Sequence, residues 1–79
     1  MNNAVFTINE VGSTVSGVVI EFDKHIGLGK IKLDDNRILD FHTINIEDGT
    51  RGIDAGAKIS GEIFFHPRGR YEIKKIEKI

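Results

Sequence analysis

The sequence predicts one all-β domain: five short strands closed into a small antiparallel barrel. Three observations lead there. Isoleucine, valine and phenylalanine dominate the apolar residues, and nine glycines against a single proline punctuate them every several positions, the pattern of short strands joined by tight turns. No long window carries the 3.6-residue periodicity of an amphipathic helix. Two neighbouring segments alternate apolar and polar residues strictly, as half-buried strands do.

In chain order, strands are expected near residues 14–23, 29–33, 38–42, 57–65 and 71–79, with Asp34-Asp35-Asn36 as the hairpin turn between the second and third. Alternation turns Gly29, Ile31, Leu33, Leu39 and Phe41 inward and Leu28, Lys30, Lys32, Ile38, Asp40 and His42 outward. In the fourth strand Ile59, Gly61 and Ile63 read as core, with Lys58, Ser60, Glu62 and Phe64 outside. Residues 15–22 are apolar on both faces, which requires a strand that is strongly coiled, bulged or covered twice. The connection 43–56 is long for a β-protein; Glu47-Asp48-Gly49-Thr50-Arg51-Gly52 reads as turns, and a short helical turn fits residues 43–47. Residues 1–13 precede the barrel pattern of 14–79, yet Val5, Phe6, Ile8 and Val11 make them too apolar for an inert tail. They are expected to pack on the barrel or on a second copy.

A chain of 79 residues has room for one core. Without cysteine it has neither disulfides nor a thiolate zinc site to support that core. The start Met1-Asn2-Asn3-Ala4-Val5-Phe6-Thr7 lacks the basic and apolar blocks of a secretory signal, and no segment is apolar enough to span a bilayer, so a soluble cytoplasmic protein is expected. The net charge of −1 gives no overall field to attract a polyanion; any nucleic-acid affinity must come from a local patch.

The run Gly17-Val18-Val19-Ile20-Glu21-Phe22-Asp23, followed by Gly27-Leu28-Gly29-Lys30-Ile31 and Leu39-Asp40-Phe41-His42, resembles the first three strands of bacterial cold-shock domains. The likeness continues through Ile46, Asp48-Gly49-Thr50-Arg51, Gly56 and Gly69-Arg70-Tyr71-Glu72, and covers roughly residues 16–76. It is similar to a divergent branch of that family. The resemblance implies an oligonucleotide/oligosaccharide-binding (OB-fold) barrel whose second and third strands stack unpaired bases, and a role as RNA chaperone or expression regulator.

The sequence departs from that pattern where stacking is concerned. Glu21, Leu28, Lys30, Asp40 and Thr43 stand where the family has aromatic residues. Phe22 and His42 remain in register, Phe22 reading equally as core and as base platform. Lys30 and Lys32 offer ammonium groups to phosphates, although exposed strand lysines equally form a solvated face; Glu21 and Asp40 place carboxylates beside them. Towards the end of the chain Arg68, Arg70, Lys74, Lys75 and Lys78 outnumber Glu72 and Glu77, and Arg68, Arg70 and Tyr71 sit on a hairpin suited to backbone contact and one stacked base. The expectation is weak, salt-sensitive, non-specific binding of single-stranded RNA or DNA through Phe22, Lys30, Lys32, His42, Arg68, Arg70 and Tyr71. The rival is a barrel that has exchanged bases for a protein partner or a second copy, using Ile20, Leu28 and Ile38. His25, His42 and His66 are too scattered for a metal site, no cofactor is expected, and no nucleophile elbow, phosphate loop or carboxylate pair suggests an enzyme.

Overall fold

The computed structural model describes residues 6–79. Val5, which the sequence assigns to the packed N-terminal segment, lies outside the described residues. Five strands, β1 (Thr14–Asp23), β2 (Leu28–Leu33), β3 (Ile38–His42), β4 (Lys58–His66) and β5 (Arg70–Lys78), form a closed barrel in the order β1-β2-β3-β5-β4. All pairs are antiparallel except β3 with β5, which run parallel. The purely antiparallel barrel expected from the sequence is therefore corrected to a mixed one. The reason is topological. The 43–57 connection carries the chain back across the barrel, so β5 returns beside β3 in the same direction.

β1 reads as apolar on both faces because a bulge interrupts its alternation. Residues 14–18 pair with β4 and residues 17–23 with β2, and the register slips by one at Ile20. This bulge restarts the alternation. Val19 lies 1% exposed in the core, Glu21 comes to face Lys30, and Phe22 comes to face Gly29 on the inner side. The same device acts in β5, where Lys75 takes a left-handed φ of +53° within the slip between Ser60 and Glu62 of β4. It lets Ile73 and Ile76, three residues apart, both enter the core at 0% exposure.

Local chemistry makes the turns. The His25 N–H donates to Asp23 Oδ1 (2.9 Å) and the Gly27 N–H to the Asp23 carbonyl (2.9 Å), with Gly27 at φ +71°. Asn36, at φ +76°, completes the 34–36 turn. A short 3-10 turn, Thr43–Asn45, follows β3, and Ile46 then bridges in parallel to Ile76. Further along the connection Ile53 is buried, and the Gly56 N–H and Ala57 carbonyl bond to the backbone of Val19.

The core is the set the alternation picked out, Ile31, Leu33, Leu39, Phe41, Ile59 and Ile63, joined by Val19, Ile46, Ile53, Ile73 and Ile76. Residues 6–13 lie against their own barrel. Gly12 and Ser13 exchange backbone bonds with Ile63, the Phe6 ring packs 5.9 Å from Tyr71, and the Arg37 guanidinium lies 4.3 Å over Phe6 while binding Glu10 (2.6 Å) and Asp35 (2.9 Å).

Gly29 tests the core geometry. A Cβ there would stand 2.5 Å from Phe41 Cε1 and 2.6 Å from the Glu21 carbonyl oxygen, whereas one at Gly52 meets nothing within 4 Å. Gly29→Ala is expected to destabilise by about 1–3 kcal/mol through overpacking, and Gly52→Ala to be neutral or stabilising by up to about 1 kcal/mol through the unfolded chain; urea denaturation measures both. A second expectation concerns the N-terminal segment. The Arg37 side chain and the Thr7 backbone N–H hold the Glu10 carboxyl below its ordinary value of 4.5. A depressed folded-state value means that the contact contributes fully above 4.5 and is lost as pH falls through the lowered value. Emission from Tyr71, the sole tyrosine in a chain without tryptophan, should report release of Phe6 in that acid window, and Glu10→Gln should remove the transition.

Candidate nucleic-acid interface

One row of outward side chains crosses all five strands. Backbone register pairs Glu21 with Lys30, Lys30 with Asp40, Asp40 with Glu72, and Glu72 with Phe64. Lys30 stands between the acids Glu21 and Asp40, Asp40 and Glu72 are adjacent acids, and the row's one internal ion pair is Lys30 with Asp40. Lys30 Nζ lies 2.8 Å from Asp40 Oδ1, and that hydrogen bond, with the charges of Asp40 and then Glu21, raises the ammonium above its ordinary value. Arg70 Nε donates to Glu72 Oε2 at 2.9 Å. With both partners of the Lys30 pair near half exposed, it adds at most about 1 kcal/mol.

Two grooves flank this row. The first, of about 420 Å³, runs between β1, β2 and β3 and is lined by Glu21, Phe22, Leu28, Lys30, Asp40 and Arg70 among others. The second, of about 320 Å³, lies across β3, β5 and β4, with His42, Ile44, Phe64, His66, Arg70 and Glu72 in its walls. A wider hollow of about 710 Å³ between the 23–25 turn and residues 52–57 is lined by Phe22, His25, Ile53 and Lys78 among others.

The residues expected from sequence divide among these places. Phe22, Lys30 and Arg70 meet at the first groove, and His42 and Arg70 at the second. Phe22 is half-buried and stacks on Phe41 (centroids 6.2 Å, planes 12° apart), so it is shared between the core and the groove wall. Lys32 points outward from β2 but lies outside both grooves, and Arg68 sits exposed at the hairpin tip. Tyr71 is not beside Arg70 on the open face. It faces the opposite side of β5, half-buried between Phe6 and the edge of Phe65 (4.9 Å), because alternation sends residues 71 and 73 inward. Of the lost aromatic positions, Thr43 proves to be buried, 3% exposed beneath Gly27.

Phe64, His66 and Glu72 of the second groove were not among the site residues expected from the sequence. Phe64 reads as an outward position of β4, but only the parallel closure brings it beside β3 by way of β5. His66 reads as a turn residue. Their rings lie 6.1 Å apart, with Lys74 Nζ 5.5 Å from the Phe64 centroid. Both histidines of this groove act as caps. His42 Nδ1 accepts the Ile44 N–H (3.1 Å) and His66 Nδ1 the Arg68 N–H (3.0 Å), so each neutral ring carries its proton on Nε2. That leaves two imidazole N–H donors and the terminal guanidinium nitrogens of Arg70 without partners among the described residues.

Among the described residues no group of three or more histidine, aspartate or glutamate side chains is placed to hold a metal ion, and no helix is long and apolar enough to cross a membrane. No family model and no curated protein matches this chain.

Proposed function

We propose that the chain binds single-stranded RNA or DNA, weakly and without strong sequence preference, on the outer face that runs from β2 and β3 across β5 to the end of β4. One observation carries this reading: a closed five-stranded barrel presents Lys30, His42, Phe64, His66 and Arg70 along two adjoining grooves. The rings offer π-faces to bases, and the guanidinium and imidazole N–H groups offer donors to phosphate and base oxygens. The resemblance of residues 16–76 to cold-shock domains points the same way. The row of paired charges sets the strength. Glu21 and Asp40 offset Lys30, so contact with the phosphate backbone gains little until the strand displaces an existing ion pair. The role in the cell that follows is that of an RNA chaperone or expression regulator acting through many weak encounters.

Titration of fluorescently labelled oligo-U and oligo-dT at low and at moderate salt tests the reading. Binding that weakens with salt supports it; absence of binding at low salt overturns it. Asp40→Asn, which releases Lys30, should tighten binding, while Lys30→Ala should weaken it and lower the salt slope by about one.

A second reading rests on a separate observation. Ile20, Leu28, Ile38 and Ile44 are each at least 43% exposed, and aliphatic side chains beside mutually neutralised charges suit a protein partner better than a polyanion. In that case oligonucleotides fail to bind, and replacing Leu28 and Ile38 by serine should abolish partner capture without lowering stability.

A further inference from the structure

Within the nucleic-acid reading, we infer that Glu72 is a base-reading residue that selects guanine at the second groove. Its side chain is only 9% exposed, yet it accepts one hydrogen bond, from Arg70 Nε to Oε2. No donor to Oε1 exists among the described residues. With no protein donor, that oxygen's hydrogen bond is left to whatever enters the groove that Glu72 lines. A ligand bringing N–H groups makes that bond, and the gain is larger in a shielded site than on an open surface.

The surroundings indicate which ligand. Glu72 is the sole acidic residue in the wall of the second groove, whereas the first also has Glu21, Asp23 and Asp40. Phe64, its register neighbour, supplies a half-buried ring, and Leu28 and Ile44 supply apolar walls, which suit the flat face of a base. The groove's volume of about 320 Å³ is on the scale of one nucleotide. Arg70, held by Glu72 through Nε, keeps its terminal nitrogens for an acceptor on the same edge of the base.

Among the common bases guanine alone presents two adjacent donors, N1–H and N2–H₂, beside an acceptor, O6. The donors match the carboxylate, and O6 matches the Arg70 guanidinium or an imidazole Nε2–H. Uracil offers N3–H between two carbonyl oxygens, each of which repels the carboxylate. Adenine and cytosine place a ring-nitrogen lone pair beside their amino group. The selection is therefore a matter of donor count on the Watson–Crick edge.

Labelled RNA heptamers test this with the full chain: all-uridine, the same strand with one central guanosine, and the same strand with one central inosine, which lacks the N2 amino group. The wild-type protein should bind the guanosine strand about tenfold more tightly than all-uridine, with inosine in between. Glu72→Gln should bring all three within about twofold, because the amide both donates and accepts and no longer favours a donor pair. Equal affinity of the wild-type protein for the three strands overturns the role of Glu72 while leaving non-specific binding intact. Retention of the guanosine preference in Glu72→Gln overturns it as well. Failure of every strand to bind at low salt overturns the nucleic-acid reading itself, and this inference with it. The wild-type comparison decides even if Glu72→Gln folds poorly, which circular dichroism would reveal.

Discussion

The parallel contact between β3 and β5 is the constraint on which the rest of the molecule depends. It is short, Asp40 opposite Glu72, extended by the Ile46–Ile76 bridge and the Glu47 N–H bond to the Ile76 carbonyl (2.8 Å). Without it β3 and β5 would both be open edges, exposing unpaired backbone in a chain with little surplus core. With it the sheet closes, Ile46 and Ile76 come under cover, and five outward residues fall into one row. The long connection after β3 is the cost of this closure. It is stabilised where it passes β1, through the bonds of Gly56 and Ala57 to Val19 and the burial of Ile53.

That row explains why the outer face of β2 and β3 has a weak field despite its lysines. Cross-strand neighbours sit close enough for opposite charges to pair, and the order Glu21, Lys30, Asp40, Glu72 alternates in sign except at its last step. There Asp40 and Glu72 are adjacent acids, and each turns to its own cation, Lys30 and Arg70. The two acids are not equivalent. Asp40 keeps a side chain 45% exposed, whereas Glu72, between β3 and β4, is covered on both sides. An exposed pair exchanges freely with water and salt, whereas the Glu72 carboxylate, largely buried although its Arg70 partner is 57% exposed, offers its second oxygen to whatever occupies the groove.

The alternating strands were legible in the sequence because a period of two leaves one arrangement that buries Ile31, Leu33, Leu39 and Phe41 together. The hairpin 34–36 was legible from its Asp-Asp-Asn chemistry. What alternation could not reach were the places where it is interrupted. Ile20 and Lys75 are bulges, and only the double-faced apolarity of β1 and the three-residue spacing of Ile73 and Ile76 hint at them. The direction of β5 relative to β3 depends on a contact some thirty residues apart in sequence, which no local pattern encodes. The site followed the same division. Lys30, Asp40 and His42 stand on the face that alternation gave them, whereas Tyr71 was drawn under Phe6, a contact with the N-terminal segment that its hairpin sequence does not announce.

The distribution of rings that results shifts where a base could be held. Stacking needs an aromatic face open to the ligand. Along β1 to β3 the described rings have little to offer: Phe22 gives its face to Phe41, and Phe41 is 1% exposed. His42 stands at the end of β3, its orientation set by the Ile44 N–H, on the side of the row nearest β4. There it shares a groove with Phe64 and His66, in whose wall the buried Glu72 and its Arg70 partner also stand. The centre of the β2–β3 face is thus electrostatic and self-neutralised, while the corner where β3, β5 and β4 meet combines π-surface, oriented N–H donors and a carboxylate oxygen with no donor among the described residues. A ligand that needs all three finds them only at that corner, and the parallel closure is what assembles it.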